Sequence, residues 1–380
     1  MKFRKVKLCD LCSIVTDYVA NGSFKTLADK VKYLNVGYAR VIRLVDYNNK
    51  YSKRDSIWVS KESYEFLEKS KLYGGEIVLS NVGANLGTVF IAPKLKYPTT
   101  LGPNAIMIKT NENDKYLYYW LKSKKGQNTI KSIVTGSAMP KFNKTDLKHI
   151  EIDIPCIESQ NKIVEILSEI DKKIELNNQI NDNLLEIGLE LLKDDFNKKA
   201  EYEVLSNVIK FVKGKKPLDI TIEIKEEYEK YLTIACLNGQ ELNYADPTKM
   251  VLSNNDLLMV MDGASSGDVY YGGQGIVGST LSRVDCIDGN YIPEFIYFIM
   301  KYYKGLIQSK NIGSAIPHTD KVFVGSLKIP KLLIEEQEKY KTLLYKTLQN
   351  MNENKILEQL RDTLLPKLMN GEIDLDKIEI

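Results

Sequence analysis

The sequence predicts a mixed α/β protein: two similar α/β domains separated by a pair of long antiparallel coiled-coil helices, in a pseudo-two-fold repeat. Three observations carry this expectation. First, "TGSAMPKFNKTDLKHIEIDIPCIESQ" (135–160) returns without a gap as "IGSAIPHTDKVFVGSLKIPKLLIEEQ" (312–337), 177 positions later. Gly136, Ser137, Ala138 and Pro140 thereby pair with Gly313, Ser314, Ala315 and Pro317, Lys144 with Lys321, and Gln160 with Gln337. Second, each copy is preceded by the same order of strand, glycine turn, strand and aromatic helix. Third, each is followed by a long, glycine-poor stretch with helical periodicity. Solenoid repeats run roughly 20–50 residues, so this much longer period marks a duplicated domain.

The first domain is placed at 1–155. "GGEIVLSNVGANLGTVFIAP" (74–93) reads as strand, glycine turn and strand. "YLYYWLKSKKG" (116–126) is an amphipathic aromatic helix, and the GSA-x-P turn then leads into an apolar strand. The central long helix is placed at 156–198, where Ile163, Leu167, Ile170 and Ile174 follow a coiled-coil spacing that continues through Asn177 and Asn181 to Leu184 and Leu191. The second domain, 199–332, repeats the order with "NNDLLMVMDGASSGDVYYGG" (254–273) and "FIYFIMKYYKG" (295–305). The C-terminal long helix and tail, 333–380, carry Tyr340, Leu344, Thr347, Met351 and Asn354 in the same phase, followed by Leu357, Leu360 and Leu364.

Asn177 and Asn354 coincide under the repeat. A polar residue at a core position lowers stability but fixes register and partner, so both are candidates for helix register. A helix of roughly 38 residues is about 57 Å long at 1.5 Å per residue. Two such helices bury their seams most simply against each other, and the expectation is a dumbbell with a domain at either end.

Composition narrows the function. The 380 residues suit two domains, and 43% apolar with 27% charged residues is the balance of a globular chain. The basic start "MKFRKVKLCDLC" has no apolar stretch behind it, and no apolar run spans a bilayer; five scattered cysteines suit reduced thiols, so a cytoplasmic location without a membrane is expected. A net charge of +3 permits nucleic-acid binding without demanding it.

Catalytic and cofactor motifs are scarce. Gly273, Gly275 and Gly278 match a dinucleotide fingerprint by letter, but "STLSRVDCI" after them alternates like a strand, which favours a glycine-rich hairpin. Cys9 and Cys12 have no second ligand-spaced pair, so no metal site is expected. No two prolines are adjacent, which removes the Asn/Asp-Pro-Pro-aromatic motif of DNA amino-methyltransferases, and no phosphate-binding loop or zinc-protease motif occurs. The chain is expected to be non-catalytic.

Together, the duplicated domains, the helix-entering "IDIPCIESQ" and "LKIPKLLIEEQ", and the C-terminal "LEQLRDTLLPKLMNGEIDL" (357–375) resemble the specificity subunit of a Type I restriction-modification system over essentially the whole chain. Two departures are Ser159, where Glu is usual, and the absence of the double proline from both segments. The resemblance implies two target recognition domains, each reading one half of a bipartite site in double-stranded DNA. It also implies helices that set the spacer and dock two DNA methyltransferase subunits, with restriction subunits joining the complex. No cofactor is implied on this chain; S-adenosylmethionine, and ATP with magnesium, belong to the partners.

On that reading the loops after the GSA-x-P turns supply the first DNA-contact candidates, Lys141, Asn143, Lys144, His318 and Lys321. These side chains suit phosphates and base edges. Asn81, Asn85, Ser265 and Ser266 in the glycine turns, with Asn104, Thr280 and Arg283 in the following strand region, complete the set. The alternatives are a stand-alone DNA-binding protein, or a solitary enzyme that uses the glycine-rich segment for a nucleotide.

Overall fold

The structure, a computed structural model, describes residues 1–53, 55–313 and 315–375. Ser314, the repeat counterpart of Ser137, and the end of the C-terminal tail lie outside the described residues. The chain divides into two units, Met1–Lys173 with Ile356–Ile380, and Ile174–Lys355.

The first unit is built on an antiparallel sheet in the order Cys12–Asp17, Ala105–Thr110, Ile77–Ser80 and Val89–Ile91. The apolar runs "AIMI" and "IVLS" bury both of their faces because alternate strand residues point to opposite sides. Ile77, Leu79, Ile106 and Ile108 enter one core, whereas Val78, Ala105 and Met107 enter another with Phe90. The first core is closed by the helix Asp114–Lys122, which sinks Tyr116, Leu117, Trp120 and Leu121 and begins where the Asn113 side chain accepts from Tyr116 N. A second sheet, Tyr33–Leu34, Ile57–Val59, Ala39–Ile42, Thr99–Leu101 and Lys71–Leu72, contains one parallel pairing, between Ala39–Ile42 and Thr99–Leu101. Within it, buried Arg40 of the strand Ala39–Ile42 donates to Asp46 Oδ1 at 3.0 Å and to the carbonyls of Tyr51 and Ser52, each at 2.8 Å. Burying this charge depends on those acceptors, and the guanidinium is not available to a ligand.

The second unit has a seven-stranded sheet in the order Ile209–Lys213, Leu281–Cys286, Leu252–Val260, Val269–Val277, Glu229–Leu232, Tyr244–Ala245 and Ile220–Thr221. The expected glycine-rich hairpin is corrected in one respect. Val269–Val277 does form a hairpin, but with Leu252–Val260, and that central strand separates it from Leu281–Cys286. The glycines instead admit a parallel neighbour. A Cβ on Gly275 would lie 2.2 Å from Lys230 O, and one on Gly278 would lie 2.4 Å from Leu232 O. Steric access of one strand to another, rather than a phosphate cradle, is what they provide.

Helices Ile157–Lys198 and Ile334–Met369 start at equivalent repeat positions, 42 and 36 residues long. At both starts a buried glutamine ties the helix to the segment just before it: Gln160 Nε2 donates to Pro155 O, and Gln337 Nε2 to Leu332 O, each at 3.0 Å. Within the second unit the two helices run antiparallel, since Asn177 meets Asn354, Asn181 meets Asn350, and Asp195 meets Tyr340.

Three expected seam positions shift. Asn350, not Met351, is buried; Leu192 is more deeply buried than Leu191; and Leu360 is exposed. The first shift has a direct cause, because Asn350 Nδ2 donates to Asn181 Oδ1 at 2.8 Å, and that amide pairing turns Met351 outward.

Candidate nucleic-acid interface

Each unit holds the same backbone platform. Gly83 N donates to Pro140 O at 2.9 Å, and Gly263 N to Pro317 O at 2.9 Å. Lys141 and Thr135 exchange hydrogen bonds of 2.9 and 2.8 Å, matched by His318 and Ile312 at 2.7 and 2.8 Å. Phe142 N reaches Asn81 O at 3.1 Å, as Thr319 N reaches Met261 O at 2.8 Å. Gly136 and Gly313 sit at φ +86° and +94°, the left-handed region that other residues rarely adopt. A Cβ at either would also meet the carbonyl oxygen of Met139 or Ile316, at 2.9 and 2.6 Å. The repeated motif therefore encodes a clamp between the glycine turn and the GSA-x-P loop, made from main-chain groups.

The side chains on this platform divide into two groups. Lys141, Asn85, Asn104, Thr280 and His318 are exposed, and Ser265 is half-buried. Lys141 has no ion-pair partner among the described residues. Lys321 is exposed, with its ammonium 5.8 Å from the Phe211 ring centre.

The second group serves the frame. Asn143 caps the helix Lys144–Lys148 by accepting from Asp146 N at 2.8 Å, a place filled in the other repeat by Asp320. Lys144 pairs with Asp17 Oδ1 at 2.9 Å. Asn81 Nδ2 donates to Phe142 O at 3.0 Å. Ser266 is fully buried and its hydroxyl lies 2.5 Å from Gly263 O and 2.7 Å from Pro317 O, holding turn to loop. Arg283 is held by both oxygens of Asp285, at 2.7 and 3.0 Å, and by Leu252 O at 2.6 Å. The bond to Asp285 raises the guanidinium pKa further, so the charge is permanent but already neutralised.

One group was missed by sequence reasoning. The Asp262 carboxylate lies 2.7 Å from His318 Nδ1, across the clamp. Its only sequence signal was that the corresponding residue of the first turn is Val82. Among the described residues no group of three or more His, Cys, Asp or Glu is arranged to hold a metal, and no helix is long and apolar enough to cross a membrane.

The structure defines a doubled α/β platform with exposed polar loops and long helices, and the comparisons with known proteins bear on its role. Residues 2–186 match the family model described as Type I restriction modification DNA specificity domain. The MjaIX specificity subunit of a Type I restriction enzyme from Methanocaldococcus jannaschii is 23% identical over 369 residues, covering 85% of this chain and 84% of that one. The HindI specificity subunit of Haemophilus influenzae is 22% identical, covering 80% and 88%. A shorter match, 29% identical to the MjaVIII specificity subunit of Methanocaldococcus jannaschii, spans 37% of this chain and only 34% of that relative. The crystal structure of a Type I restriction-modification S subunit from M. genitalium shares the fold, with a TM-score of 0.55 at 18% identity over 97% of this chain and 96% of that one. Residues 2–186 thus match a Type I restriction-modification DNA specificity domain, and the chain is similar to Type I specificity subunits over 80–85% of its length.

Proposed function

We propose that the two units read the two halves of a bipartite site in double-stranded DNA, each through the exposed side chains of its clamp platform. One observation carries this reading: the main-chain frame is the same in both units while the side chains it exposes differ. Lys141, Asn85 and Asn104 stand in the first unit where His318, Ser265 and Thr280 stand in the second. Loops on a rigid scaffold are where recognition residues concentrate. Lys321 adds a positive charge suited to phosphate. Asn143, Lys144, Asn81, Ser266 and Arg283 hold the platform in shape.

The long helices serve as docking surfaces for two DNA methyltransferase subunits, with restriction subunits completing the assembly in the cytoplasm. Tyr345, Ile356, Leu176 and Ile187 on these helices are at least half exposed or nearly so, at 63%, 65%, 50% and 49%. S-adenosylmethionine, and ATP with magnesium, bind to those partners and not to this chain.

Exchanging residues 1–150 for the first domain of another specificity subunit tests the reading. Methylome sequencing should show one half of the methylated sequence replaced and the other retained; a change in both halves, or in neither, overturns it.

A further inference from the structure

We infer that His318 reads a base edge in the half-site of the second unit and that Asp262 is its positioning residue. This rests on the reading that the clamp platform faces DNA. A carboxylate can only accept, so the 2.7 Å contact between Asp262 Oδ1 and His318 Nδ1 fixes the proton on Nδ1. The other ring nitrogen, Nε2, is then the atom left to meet a ligand. The His318 side chain is 53% exposed and that of Asp262 is 28% exposed, so the ring is held at its inner edge and open at its outer one.

The backbone below the ring is fixed as well. His318 exchanges two hydrogen bonds with Ile312, the next residue donates from Thr319 N to Met261 O at 2.8 Å, and Thr319 Oγ1 donates to Val260 O at 2.9 Å. Gly313 leaves room for the imidazole, since a Cβ there would lie 3.3 Å from His318 Cδ2. A side chain with both its main chain and its ring direction set loses little freedom on binding, which is the requirement for a specific rather than an adaptable contact.

Charge separates base from phosphate. The Asp262 carboxylate beside the ring opposes a phosphate, whereas a base edge offers donors and acceptors without net charge. In the first unit the same two places hold Val82 and Lys141, an unopposed cation suited to phosphate or to guanine. The repeat thus presents a flexible point charge in one unit and an oriented heteroatom in the other.

The test uses the full chain co-expressed with its methyltransferase partners and reads the methylome together with thermal stability. His318→Ala should relax one base position of one half-site by about tenfold, the scale of a single good base contact, with the thermal midpoint unchanged. Asp262→Ala should relax the same position, and the double variant should do no more than either single one. Asp262→Asn should keep the preference, because its amide oxygen still accepts from Nδ1. Relaxation at different positions, additive effects, a uniform loss of affinity across sequences with a reduced salt dependence, or no change would each overturn the inference. If the domain exchange replaces a half-site while these variants leave the methylome intact, only this inference fails; if the exchange itself replaces nothing, the underlying reading fails.

Discussion

Asn177 donates its side-chain amide to Asn354 Oδ1 at 2.9 Å, and Asn354 donates in turn to Asn178 Oδ1 at 3.0 Å. Both residues are buried, Asn177 almost wholly. Asn177 also donates to Glu353 Oε2 at 2.8 Å, and Asn350 to Asn181 Oδ1 at 2.8 Å, so a polar layer crosses the helix pair of the second unit. Sliding either helix by one turn would leave at least one asparagine of each helix without its amide partner. That penalty, rather than net attraction, is how the layer selects a register.

Asn177→Ala therefore leaves the buried Asn354 Oδ1 without its donor and should lower stability by about 1–3 kcal/mol. Replacing both Asn177 and Asn354 with leucine should recover much of that loss and relax the register. Urea denaturation measures the first effect, and disulfide trapping between cysteines placed on the two helices measures the second. A double variant as unstable as the single one would show that the asparagines contribute more than alignment.

Gly188 lies where the first long helix meets the aromatic helix Pro293–Tyr302 of the second unit. A Cβ at this position would come within 2.1 Å of Phe298 Cε1. Gly188→Ala should cost about 1–3 kcal/mol through overpacking, even though alanine is worth about 1 kcal/mol more than glycine in a helix interior. Combining it with Phe298→Leu should return part of the loss. Thermal melts of the four proteins decide the matter, and a stabilising single substitution would show that the ring moves aside without cost.

Lys301 sits over the Tyr297 ring at 5.2 Å in a cleft of about 170 Å³ lined also by Tyr271, Leu344 and Met351. Burial, with help from Lys304 and against the pull of Asp268, pushes its pKa from 10.5 down to about 8. Between those two values the unfolded chain holds a proton that the folded chain has released, so stability from this group rises as pH climbs from about 8 to 10.5. Below about 8 both states are protonated and the cost of the buried charge is fully present. Lys301→Met should accordingly be more stable than wild type at pH 7, by a margin that shrinks with rising pH and vanishes near 10.5. Paired urea titrations across that range measure the difference; a margin independent of pH would mean the ammonium is solvated in the folded state.

The platform was legible in the sequence because its parts are short-range and repeated: two glycines at positive φ, a proline, and a strand on either side recur at fixed offsets. The helix starts and the Asn177–Asn354 coincidence were legible for the same reason. Partners far apart in sequence were not. Nothing local distinguishes Lys144, held by Asp17 127 positions away, from the solvated cations expected of a DNA-binding surface, whereas Arg283 did carry a local signal, since Asp285 follows two residues later on the same face of its strand. Ser266 looks like any turn serine until Pro317, 51 positions away, comes within hydrogen-bond distance of its hydroxyl. The exchange of Met351 for Asn350 in the seam likewise depends on the amide that faces it, because periodicity alone ranks an apolar residue above a polar one.

The clamp between glycine turn and GSA-x-P loop is fastened mainly through peptide groups, with Asn81 in one unit and Ser266 in the other as its side-chain rivets. Side chains at 85, 141, 265 and 280 can therefore be exchanged without loosening it, since none supplies the bonds that close it except through its own main chain. Mutations there escape the usual conflict between gaining a new preference and keeping a folded chain. On the proposed reading, a lineage under pressure to recognise different DNA can sample those positions one at a time, and each unit can drift independently of the other. The outcome is a protein whose vocabulary evolves faster than its grammar.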